Sequence, residues 1–79
     1  MTNNGMFANL RNAGMDKGKA VRTIAYKLYG AGTPAAAAFM AGYRDSVKYA
    51  DGLEGRESRY SGTAAAAYSD GWTLAACVA

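Results

Sequence analysis

The chain has no histidine and only one cysteine, Cys77. The first absence removes the usual general base at neutral pH and the commonest zinc ligand. The second excludes a disulfide framework within the chain and a thiolate metal cluster. No run reaches the about 18 apolar residues that a membrane span needs. The opening Met1-Thr2-Asn3-Asn4-Gly5 also lacks the basic-then-apolar order of an export signal. These features predict a soluble, cytoplasmic protein with no membrane partner. No convincing strand pattern exists, so the glycines cannot form a phosphate-binding turn between a strand and a helix. The carboxylates are scattered, Ser58, Ser61 and Ser69 have no base, and Cys77 reads as a small buried hydrophobe rather than a nucleophile. A non-enzymatic protein with no cofactor and no metal is expected.

What is present is a near-repeat. Gly32-Thr33-Pro34-Ala35-Ala36-Ala37-Ala38-Phe39-Met40-Ala41-Gly42-Tyr43 returns as Gly62-Thr63-Ala64-Ala65-Ala66-Ala67-Tyr68-Ser69-Asp70-Gly71-Trp72, with Pro34 as one inserted residue. Alanine is the best intrinsic helix former, each threonine is a candidate N-cap, and Pro34 falls at the first helical position. Two repeat helices follow, 33–50 and 63–77 with their caps, joined by a loop over 51–62. Gly42 and Gly71 lie inside them, where glycine costs about 1 kcal/mol relative to alanine. Close approach of an antiparallel pair accounts for both, with Phe39, Tyr43, Tyr68 and Trp72 as core aromatics beside the crossing. The apolar line of the first helix runs through Ala36, Met40, Tyr43, Val47 and Ala50, a heptad-like seam. That of the second runs through Ala65, Tyr68, Trp72, Ala75 and Val78.

Ahead of the repeat, Met6, Phe7 and Leu10 predict a short helix over 5–13 that stops near Gly14. Asp16 then caps an amphipathic helix over Lys17 to Tyr29, with Ala20, Val21, Ile24, Ala25 and Leu28 on one face and Gly30 ending it. The expected fold is therefore all-α, a single small bundle over 1–79 in which a basic N-terminal segment, 1–30, precedes the antiparallel pair. A chain of 79 residues buries only about 60% of its unfolded surface, so a thin core and a homodimer are expected.

Charge is unevenly divided. Residues 1–30 hold Arg11, Lys17, Lys19, Arg22 and Lys27 against Asp16 alone, a net +4, while 31–79 hold four cations against five acids, a net −1. A cationic stripe on the second helix suggests an anionic partner, of which nucleic acid is the commonest. In the loop, Arg56, Arg59 and Tyr60 are the types of residue that pair with and stack on an RNA strand.

The segment Tyr68-Ser69-Asp70-Gly71-Trp72-Thr73-Leu74-Ala75 resembles the aromatic, two variable residues, Gly-Trp, two variable residues, Ala pattern that closes ribosome modulation factor and its small phage and plasmid relatives. Ala38-Phe39-Met40-Ala41-Gly42-Tyr43 is similar to the glycine-aromatic element that opens the same module, and Tyr60 falls where the family carries a loop tyrosine. The resemblance spans 35–79. It implies a small protein that binds ribosomal RNA and holds ribosomes inactive, with Arg56, Arg59 and Tyr60 at the contact. Lys17, Lys19, Arg22 and Lys27 would add phosphate contacts, which position without specifying sequence. Two other classes fit the residues. One is a phage-encoded inhibitor, anti-CRISPR-like, that occupies a surface of a host protein complex. The other is a self-assembling structural subunit.

Overall fold

The computed structural model describes residues 2–49 and 59–78. Among these residues the chain forms four helices, α1 (Asn3–Asn12), α2 (Lys17–Tyr29), α3 (Pro34–Lys48) and α4 (Gly62–Val78), and no strand. None of them is long and apolar enough to cross a membrane. The architecture is a small all-α bundle in which α3 and α4 form an antiparallel pair and α2 lies against α3. The short α1 covers α2 and part of α4.

Local chemistry sets most of the boundaries. Asp16 Oδ1 accepts from the Lys19 amide at 2.8 Å and opens α2, and Thr33 Oγ1 accepts from the Ala36 amide at 3.1 Å and opens α3 with Pro34 behind it. Each bond satisfies one of the amides that a helix start leaves without an intrahelical partner. Gly30, at φ 92°, ends α2 where a side chain would be strained. The first helix starts earlier than the apolar spacing alone predicts, because Thr2 Oγ1 captures the Gly5 amide at 3.0 Å. The fourth also differs from expectation: it begins at Gly62, so Thr63 is its second residue and not its cap. The left-handed backbone of Gly62, φ 59°, turns the chain into the helix two residues sooner.

The two repeat glycines explain the α3–α4 packing. A Cβ built at Gly42 would fall on the carbonyl oxygen of Tyr68, 2.9 Å from its carbon and 3.0 Å from the Trp72 amide nitrogen. One built at Gly71 would fall on the carbonyl oxygen of Phe39, 2.9 Å from its carbon and 3.1 Å from the Tyr43 amide nitrogen. Phe39 and Tyr68, Tyr43 and Trp72, and the two glycines are each 29 positions apart. An approximate two-fold axis therefore passes through the crossing and exchanges the two copies. The symmetry reaches further back than the sequence repeat. Tyr29, ahead of the first copy, packs its ring 5.8 Å from Phe39, and Tyr60, ahead of the second, stacks 4.9 Å from the equivalent Tyr68.

This crossing corrects the expected heptad seam. The face of α3 turned into the protein carries the expected Ala36 together with Ala38, Phe39, Gly42, Asp45 and Ser46, all buried, while Val47 is 58% exposed, Met40 and Tyr43 are only partly buried, and Ala50 lies outside the described residues. Backbone proximity at a glycine outweighs the larger side chains in choosing the face. On α4, Ala67 and Leu74 are buried alongside the expected Tyr68, Trp72 and Ala75. The largest fully buried side chains are Tyr68, Phe39, Ile24 and Leu74, and burial of an Ile, Leu or Phe side chain contributes about 1.5–3 kcal/mol. Ile24 belongs to the α2 face that also buries Ala20, Val21 and Ala25, whereas Leu28, expected on that face, is 43% exposed. Cys77, expected to be buried, is exposed near the end of α4, one turn beyond Leu74, which takes the inward position.

Candidate functional site

Polar chemistry within the described residues collects in two places. The first is where α3 ends and α4 begins. Asp45, 6% exposed, lies three residues after Gly42 on the face turned to α4. Its Oδ2 accepts from the Tyr68 hydroxyl at 2.7 Å and from Arg59 Nη2 at 2.8 Å. Arg59 Nη2 also donates to the Tyr68 oxygen at 3.3 Å, and its guanidinium lies 5.7 Å from the Tyr60 ring centre and 5.6 Å from that of Tyr68. Burial alone would raise the Asp45 carboxyl pKa, but the hydrogen bonds from Tyr68 and Arg59 and the charges of Arg44 and Arg59 outweigh it and hold it below the ordinary range. The Tyr68 hydroxyl is pushed up, first by burial and then by its bond to the carboxylate. Arg59 and Tyr60, two of the expected RNA contacts, are thus tied into the fold, although the Arg59 side chain keeps 58% of its exposure. Arg56, the third, lies outside the described residues.

The internal symmetry shows what is unusual here. The equivalents of Tyr68 and Asp45 in the other half are Phe39 and Leu74, both buried and both apolar. One backbone arrangement thus holds an apolar pair at one end and a hydroxyl, carboxylate and guanidinium at the other. Sequence reasoning missed Asp45. The signal was available, since it occupies in the first copy the position that Leu74 occupies in the second.

The second place is α2. Lys17, Lys19, Arg22 and Lys27 are all exposed, and among the described residues none of them is in an ion pair. Successive helical residues turn by about 100°, which puts Lys19, Arg22 and Tyr26 on one outward strip opposite the buried Ala20, Val21, Ile24 and Ala25. Tyr26 is 40% exposed, unusually open for a side chain of its size. Lys27 lies beside the strip at the edge of a cavity of 280 Å³ between α1 and α2, lined by Met6, Asn9, Leu10, Thr23, Ile24 and Lys27. The face is electropositive because Asp16, the one acid of 1–30, is held at the start of α2, its Oδ1 on the Lys19 amide.

The remaining predicted packing residues are placed as follows. Trp72 is buried, its ring 6.3 Å from Tyr68. The Tyr43 backbone sits at the crossing with α4, but its ring turns to α1 and lies 6.2 Å from Phe7. Its hydroxyl is buried without a hydrogen-bond partner, and burial raises its pKa against the opposing pull of Arg11. Among the described residues no group of three or more His, Cys, Asp or Glu side chains is placed to hold a metal ion.

No protein-family model matches the chain, and comparison with curated proteins and with solved structures finds no match either.

Proposed function

We propose that this is a non-catalytic binding protein that uses the cationic face of α2 to hold RNA, and thereby regulates the complex to which that RNA belongs. The observation that carries the reading is the contrast between the two sets of cations. Arg44 and Arg59 lie against Asp45, at 3.6 and 2.8 Å, whereas Lys17, Lys19, Arg22 and Lys27 stand exposed with no described acid paired to them. Desolvating an unpaired strip of charge is favourable only against an anion, and a polyanion gains further from counterion release. The likeness of 35–79 to ribosome modulation factor points toward ribosomal RNA.

The test is RNA binding by fluorescence anisotropy across a salt series. Phosphate contacts from Lys19, Arg22 and Lys27 on a single strand give a slope of log affinity against log salt of about −2. Changing Lys19, Arg22 and Lys27 together to Gln should abolish most of that slope with the helical circular dichroism unchanged, whereas Lys17→Gln, on the other side of α2 from Lys19 and Arg22, should leave it nearly intact. Affinity that ignores both salt and the three strip substitutions would overturn the reading and favour a mainly apolar interface with a host protein complex. Ribonuclease-sensitive capture of ribosomal subunits from bacterial lysate would identify the RNA.

A further inference from the structure

We propose that the cavity between α1 and α2 receives one unstacked base of a single-stranded RNA whose phosphates lie on the α2 strip. The inference rests on the RNA-binding reading above and names the form of RNA it takes. The cavity and the cationic strip are continuous, because Thr23 and Lys27, on adjoining turns of α2, separate the outward Lys19 and Tyr26 from the lining residue Ile24. A strand held at Lys19 and Lys27 therefore runs along the edge of the opening, with Arg22 further round the helix.

The lining has the composition a base requires. Met6, Leu10 and Ile24 supply apolar walls from two helices, the Thr23 hydroxyl, whose proton goes to the Lys19 carbonyl at 2.8 Å, leaves its oxygen as an acceptor at the side, and Lys27 is the only charged member among the described lining residues. Flat, weakly polar rings are stabilised by apolar walls and by edge-on hydrogen bonding, and a lone ammonium at the rim is complementary to the phosphate attached to such a ring. At 280 Å³ the space is just below the about 300 Å³ at which ligand pockets begin, so it suits one or two rings rather than a larger molecule. Tyr26, 40% exposed on the adjoining strip, offers its ring face to the neighbouring base. Bases in an A-form duplex are stacked inside the helix and can reach neither the cavity nor the tyrosine. The arrangement therefore selects single strands, where a cationic surface alone would also accept duplexes.

The experiment compares one RNA sequence as a single strand and as a duplex by anisotropy at low salt. The wild-type chain is run beside Asn9→Trp, which fills the opening from an exposed α1 position, and Tyr26→Ala. The single strand should bind about tenfold more tightly than the duplex. Asn9→Trp should remove that preference and leave the salt slope intact, and Tyr26→Ala should reduce it. As a readout that needs no variant, adenosine monophosphate added to the wild-type protein should shift the methyl NMR signals of Met6, Leu10 and Ile24, and inorganic phosphate should not. Equal affinity for both RNA forms, or groove methyls unmoved by the nucleotide, would overturn the base site and leave the cationic strip standing. Absence of any salt-dependent RNA binding would remove the strip and the base site together.

Discussion

Alanine at position 42 is the most direct probe of the α3–α4 crossing. The added Cβ lands on the Tyr68 carbonyl oxygen and stands 2.9 Å from its carbon and 3.0 Å from the Trp72 amide nitrogen. Every one of these atoms belongs to the α4 backbone, so no side chain can turn aside and the helices must part. Two effects oppose each other. Alanine is better than glycine inside a helix by about 1 kcal/mol, while overpacking a well-filled core costs about 1–3 kcal/mol and occasionally more. Comfortable carbon contacts lie at about 3.5–4 Å, so the obstruction at each carbon is of the order of an ångström and cannot be absorbed by small adjustments. Parting the helices also loosens Phe39, Tyr68 and Leu74, each no more than 1% exposed. Overpacking therefore wins, and Gly42→Ala should destabilise by about 1–3 kcal/mol.

Gly18→Ala supplies the control. Its Cβ would meet only Asp16 Oδ1 at 3.6 Å, an ordinary contact, so helix propensity acts unopposed and stability should rise by about 0.5–1 kcal/mol. Urea unfolding followed by far-UV circular dichroism reads both, and each kcal/mol moves the thermal midpoint of a domain this size by about 4–8 °C. Gly71→Ala should behave as Gly42→Ala does. The double variant should lose less than the sum, because one separation of the helices relieves both clashes. A Gly42→Ala protein as stable as wild type, in an experiment where Gly18→Ala gains, would refute the close-approach argument.

Three further predictions concern buried polar groups. Tyr43→Phe removes a hydroxyl that is buried without a partner and should be neutral or stabilising, by up to about 1 kcal/mol, whereas Tyr68→Phe removes a donor to Asp45 and should destabilise by about 1–3 kcal/mol; the same unfolding assay separates them. Asp45→Leu combined with Tyr68→Phe installs a Leu–Phe pair like that of Leu74 and Phe39, and should be more stable than Tyr68→Phe alone, with a cycle of single and double variants giving the coupling. Stability should fall at both extremes of pH. The depressed Asp45 carboxyl contributes stability that is complete above the unfolded value near pH 4 and is lost as pH falls through the folded one, and Asp45→Asn should flatten that limb. Tyr29, raised to about 12 by burial and by the charge and hydrogen bond of Asp70, contributes stability that is full below pH 10 and lost as pH climbs toward 12; Tyr29→Phe should remove part of the alkaline loss, with Tyr43 and Tyr68 accounting for more.

The features legible in the sequence are those decided by short-range chemistry. Asp16, Thr33 and Gly30 mark helix ends because a cap needs only the next few residues, and the repeat exposes Gly42 and Gly71 because mid-helix glycine is costly unless two backbones meet there. The seam of α3 was not legible in the same way. In an alanine-rich helix many faces look apolar, so the choice falls to the glycine, which a hydrophobic pattern does not count. Val47 consequently points to solvent, and Asp45 and Ser46 are buried. A charge in the core runs against the pattern as well, and Asp45 becomes intelligible only once Arg59 and Tyr68, 14 and 23 residues away, are seen to close on it. On α2 the stripe of cations was readable from spacing alone, but the cavity beside Lys27 required knowing that α1 folds back across Ile24.

The division of charge between the two halves follows from the crossing itself. A pair of helices held at backbone contact leaves little side-chain freedom at its centre, so the carboxylates near it find partners within the protein, although the Tyr43 hydroxyl does not. Asp45 takes Tyr68 and Arg59, and Asp70 takes the Tyr29 hydroxyl at 3.1 Å, which ties α2 to α4. Substitution there registers first as lost stability. The outer strip of α2 has the opposite character, since Lys19, Arg22 and Tyr26 contribute nothing to the core and can change without disturbing it. The two readouts should therefore separate cleanly: variants at the crossing move the unfolding midpoint, and variants on the strip move binding with the midpoint unchanged. A strip substitution that lowered stability as much as Gly42→Ala would mean that α2 is held by those charges, and the assignment of the strip to a partner would fail.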